Sequence, residues 1–83
     1  MRDIHLKVEL LRALDQCSGY LLPEPMLLHQ LRLVLQPPPI TSEFSRALQD
    51  LDAQQLITGV RSALGGPVKW GLTDKGRAEL NQH

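Results

Sequence analysis

Ser42, Ser45, Arg46 and Gln49 are spaced i, i+3, i+4, i+7, so a helix would carry all four on one face. Their chemistry is recognition. A guanidinium is a planar fork of donors that can bond guanine in a bidentate way, and a carboxamide can do the same with adenine. Hydroxyls near a helix N-terminus can bond phosphate. Glu43, Asp50 and Asp52 lie on or beside the same face and would sit close to phosphate. Arg46 could also pair with Asp50, four residues on, as a solvated surface ion pair. Catalytic chemistry finds no such set. His5, His29 and His83 are far apart and follow no metal-ligand spacing. Gly65-Gly66 lacks the following Lys-Ser/Thr of a phosphate loop, and Cys17 has no evident base partner. No enzyme, metal site or cofactor is expected.

The element that must position those side chains is a helix over 41–54 running into a strand at Ile57. Phe44, Ala47, Leu48 and Leu51 form its apolar face. Thr41 can cap its start, and Glu43 falls in the first turn, where the helix dipole favours a carboxylate. Pro37, Pro38 and Pro39 end whatever precedes it and make a stiff turn.

The first helix is expected over residues 2–17. Its apolar side chains spread over roughly 220° at the helical period, while one core needs a stripe of somewhat over 100°. That excess suggests a second buried side, a homodimer face that would use Leu6, Leu10 and Leu14; the alternative is that Leu6 and Leu10 are partly exposed near a chain end. Lys7 interrupts the arc, and Cys17 falls on it as a small core residue. Gly19 is a candidate left-handed cap after Ser18. Tyr20 to Leu22 fits a short edge strand.

Pro23-Glu24-Pro25 opens a second helix over 25–35, with Leu27, Leu28, Leu31, Val34 and Leu35 inward and Met26, His29 and Leu33 outward. Two strands follow, at 56–63 and 68–73, joined by Leu64-Gly65-Gly66-Pro67 as a β-hairpin. Trp70 reads as a half-buried residue covering the core, and Gly59 and Gly71 as relief from crowding. Thr73 caps a last short helix from Asp74 to about Gln82, with Ala78 and Leu80 inward.

Eighty-three residues with 42 % hydrophobic content predict one domain, 1–83, with a single thin core. No apolar run approaches the ~20 residues a membrane span needs. The charged start, MRDIHLKVELLRAL, is unlike a signal peptide, so a cytoplasmic protein is expected. Nine Lys and Arg balance nine Asp and Glu. Nonspecific nucleic-acid binders carry a basic excess, so any nucleic-acid contact here must come from a local patch.

The element order, together with Ser45-Arg46-Ala47-Leu48-Gln49-Asp50-Leu51-Asp52 leading to Leu56-Ile57, resembles the winged helix-turn-helix domain, closest to bacterial MarR and PadR-like regulators. Leu72-Thr73-Asp74-Lys75-Gly76-Arg77 resembles the segment after the wing, where such proteins often read Leu-Thr-x-Lys-Gly-Arg. The resemblance implies an α+β fold: a three-helix core, a small antiparallel sheet with a β-hairpin wing, and a short C-terminal helix. It also implies double-stranded DNA as partner for a small transcriptional regulator. Helix 41–54 would lie in the major groove and the hairpin 57–73 would act as wing. The DNA-binding residues would be Ser42, Ser45, Arg46, Gln49, Arg61 and Lys69. Gln55 stands where the family usually has Gly, so either it turns left-handed at some cost or the helix ends differently. The long dimerisation helices of MarR-like proteins are not among the elements read here. The fold also serves protein–protein modules, and zero net charge, an acidic-leaning helix 41–54 and outward Met26 and Leu33, with Trp70 as a candidate third, suit that alternative.

Overall fold

The first helix is the hub of the molecule. In the computed structural model, which describes residues 2–17 and 20–82, α1 (Arg2–Gln16) touches α2 (Glu24–Val34), α3 (Thr41–Ala53), α4 (Asp74–Leu80) and strand β3 (Lys69–Leu72). This accounts for its wide apolar arc. Leu6, Leu10 and Leu14 are 4, 0 and 2 % exposed and belong to the chain's own core. These three residues therefore do not form an outward dimer face; four neighbours inside one chain bury the excess. Cys17 packs at the edge of the same core. The expected Gly19 cap lies outside the described residues.

Two strands, β2 (Ile57–Val60) and β3, form the antiparallel hairpin, and the two-residue strand β1 (Leu22–Pro23) pairs with the other edge of β3, giving the order β1-β3-β2. The third strand thus joins the hairpin as expected but begins at Leu22, not Tyr20. Pro23 has no N–H to donate and is tolerated at an edge. Both hairpin strands are shorter than expected, because 61–68 form a long loop, with positive φ at Gly65 and Gly66. Ile57, Leu72 and Trp70 face inward. The Trp70 ring lies opposite Gly59, where an added Cβ would stand 2.8 Å from it. The indole Nε1–H donates to Glu24 Oε1 at 3.1 Å, tying the sheet to the first turn of α2.

Two inward assignments fail. Val34 is 61 % exposed and Ala78 is exposed, each near the end of its helix. Met26 and Leu33 face outward, and Leu27 and Leu31 are buried, as the helical period predicts.

The end of α3 explains Gln55. Leu56 N–H donates to Leu51 O and Gln55 N–H to Asp52 O, both at 3.0 Å, with Gln55 at φ 62°. This is a Schellman cap, with Leu51 and Leu56 as its apolar pair. A left-handed conformation costs a side-chain-bearing residue about 1–2 kcal/mol, partly offset because Gly loses more entropy on folding. Gln55→Gly is therefore expected to raise stability by about 0.5 kcal/mol, measured by urea denaturation. A loss would show that the Gln55 side chain has a role of its own.

Candidate nucleic-acid interface

α3 buries Phe44, Ala47, Leu48 and Leu51 and leaves Ser42, Ser45, Arg46, Gln49 and Asp52 exposed. Its cap lies one residue earlier than expected. Ile40, in extended conformation, is the N-cap, and Thr41 is the first helical residue. With no capping side chain at Ile40, Glu43 reaches back, and its Oε1 accepts the Ile40 N–H at 3.3 Å. That is half of a capping box.

The acidic neighbours are consequently not all turned toward the exposed stripe. Glu43 is engaged at the helix start. Asp50 Oδ2 lies 3.3 Å from Lys7 Nζ on α1. Arg46 makes no ion pair among the described residues, so the Arg46–Asp50 surface pair is not formed. Of the three carboxylates, Asp52 stays exposed and in no ion pair among the described residues. Lys7 is the residue that sequence reasoning misses. Its signal is its position: a lysine inside an apolar helix arc must carry its ammonium out to the nearest groove. That groove is a cleft of about 180 Å³ between α1 and α3, lined by Lys7, Ser42, Glu43, Arg46 and Asp50 over a floor of Leu6 and Ala47.

Ser42 and Arg46 thus share the cleft, while Ser45 and Gln49 occupy the exposed stripe beyond it. Arg61 and Lys69 stand apart from this group, at the base of the wing loop. Lys69 is paired with Val60 across the hairpin, and Arg61 is the next residue after β2. Both are exposed and neither is in an ion pair among the described residues. Leu64 at the loop tip is 99 % exposed. Arg77 is different: its Nε lies 3.4 Å from Asp15 Oδ1, so it braces α4 against α1.

The segment after the wing fastens the hairpin to the end of α3. Thr73 N–H donates to Leu56 O. The Thr73 hydroxyl lies 2.7 and 2.9 Å from the carbonyl oxygens of Gln55 and Leu56 and accepts the Gly76 N–H at 3.0 Å. The expected cap of α4 is therefore present and does a second job. Gly76 is buried against Leu56, where a Cβ would collide with the Leu56 carbonyl. The Thr and Gly of the motif set the angle between wing and α3; Lys75 is merely exposed.

Among the described residues no group of three or more His, Cys, Asp or Glu could hold a metal ion, and no helix is long and apolar enough to cross a membrane. His83 lies outside them.

No protein-family model matches the chain, and no curated protein matches it by sequence. Among solved structures, a cysteine-to-serine mutant of Lactococcus lactis ZitR shares the fold, with a TM-score of 0.73 at 20 % identity over 95 % of this chain. The chain spans 49 % of the length of that ZitR chain. The fold is the winged helix: α+β, with four helices and a three-stranded antiparallel sheet among the described residues.

Proposed function

We propose that residues 1–83 form one DNA-binding domain of a cytoplasmic transcriptional regulator of the MarR/PadR-like kind, with α3 in the major groove and the 57–73 hairpin as wing. The observation that carries this reading is the state of the α3 face. Ser42, Ser45, Arg46 and Gln49 stand exposed together, Arg46 is in no ion pair among the described residues, and Glu43 and Asp50 are held by the Ile40 N–H and by Lys7. Arg46 reads a base edge, Gln49 a neighbouring one, and the two serines contact phosphate. Arg61 and Lys69 bind the adjacent backbone. The winged-helix fold shared with ZitR supports the same reading. The domain works without cofactor or catalysis.

On a selected site, Arg46→Ala should cost about 1–3 kcal/mol of binding and relax the preference at one base pair. Lys69→Ala should instead weaken all sequences alike. Affinity unchanged by Arg46→Ala would remove α3 from the groove.

A second reading, a winged-helix module that binds protein, rests on a different surface. Met26, Leu33 and Val34 are exposed on α2, and a groove of about 520 Å³ beside it is lined by Leu6, Val34, Leu35, Pro37 and Pro39, with His5 and Gln36 among them. With zero net charge, that surface would suit an apolar partner.

A further inference from the structure

We infer that Lys7 is a positioning residue for DNA recognition: from α1 it holds the Asp50 carboxylate, and so leaves the Arg46 guanidinium free to reach a base. The inference rests on the DNA-binding reading of α3. Three observations carry it. Lys7 Nζ and Asp50 Oδ2 are 3.3 Å apart, on two different helices. Arg46 and Asp50 are one helical turn apart and line the same cleft as Lys7, so Asp50 is within reach of either cation. Of the two, it takes Lys7, and Arg46 is left in no ion pair among the described residues.

The geometry gives Asp50 two possible partners with opposite consequences. Paired with Arg46, it would occupy the donor fork that a guanine needs and leave Lys7 in the cleft. Paired with Lys7, it is neutralised away from the stripe. The ammonium side chain is 29 % exposed and the carboxylate 47 %, so the pair is weak as a source of stability. Its effect is on what Arg46 does.

A double-mutant cycle on DNA affinity tests this with Lys7→Met, Asp50→Asn and the double variant, each checked for an unchanged circular dichroism spectrum. Freeing one carboxylate near phosphate, and capturing Arg46, should make Lys7→Met bind about three- to tenfold more weakly at low salt. In the Asp50→Asn background Lys7→Met should cost nothing. Equal costs in both backgrounds would overturn the inference, since Lys7 would then be touching DNA itself. The Asp50→Asn variant breaks the same pair from the other side and should bind at least as tightly as the wild type; weaker binding would count against the inference. A second readout is free of DNA. The Arg46 Nε–Hε resonance should shift and exchange more slowly in Lys7→Met, as Asp50 engages it. An unmoved Arg46 signal would overturn the inference even where DNA affinity falls. A wild-type domain that binds no DNA would fail the DNA-binding reading, and the Arg46 resonance would still decide whether Lys7 keeps Asp50 off Arg46.

Discussion

Leu10→Ala should lower the unfolding free energy by about 2–5 kcal/mol, the cost of a cavity at a fully buried leucine. Leu10 is 0 % exposed at the centre of α1, which is itself packed by α2, α3, α4 and β3. A domain of this size is worth about 4–12 kcal/mol in all, so a sixth of it or more would go. At roughly 4–8 °C per kcal/mol, the melting temperature should fall by about 8–40 °C. That melting temperature should not depend on protein concentration, because the packing around Leu10 lies within one chain. A fall below about 1 kcal/mol, with loss of a dimer in sedimentation, would instead return Leu10 to a subunit interface.

Gly76→Ala is the second large effect, and its sign is the informative part. In an exposed helix this change gains about 1 kcal/mol of helix propensity. Here the new methyl meets the Leu56 carbonyl, a backbone group already fixed by the Thr73 N–H and hydroxyl. It cannot yield without moving the end of α3 or the start of β2. A net loss of about 2 kcal/mol or more is expected by urea denaturation, since overpacking against a rigid partner costs about 1–3 kcal/mol and often exceeds it when backbone must shift. DNA affinity should fall as well, because the wing is then re-angled against α3. A more stable variant would show that α4 is not clamped there.

The two large variants also mark where the sequence can and cannot be read. The face of α3 is legible because Phe44, Ala47, Leu48 and Leu51 repeat cleanly at the helical period, and one face is all that α3 buries. The face of α1 is not. Leucine at nearly every turn says that much is buried, but not by what, and a second subunit and four neighbours in one chain predict the same arc. Val34 and Ala78 fail for a related reason: periodicity carries on past the point where neighbours end. The motif Leu72–Arg77 is recognisable as letters, while its physics is not. Thr73 and Gly76 matter through Gln55 and Leu56, about 20 residues earlier in the chain. Gln55 is the reverse case, since a helix running straight into a strand needs a left-handed residue, and the chain has one at φ 62°. Of the site, Ser42, Ser45, Arg46 and Gln49 follow from spacing. Their electrostatic setting does not, because the partner of Asp50 is Lys7, far earlier in the chain on α1.

At the centre stands the proposal that α3 and the wing of this neutral chain bind DNA through a local set of cations. Fluorescence anisotropy with a mixed-sequence duplex, titrated across salt, tests it most directly. Neutralising two phosphates, with Arg61 and Lys69, would give a slope of log affinity on log salt of about −2, a loss of roughly 12-fold between about 50 and 200 mM. Lys69→Ala should reduce that slope by about 1. No binding at the lowest salt, or binding indifferent to salt, would contradict the proposal and turn attention to the groove beside α2.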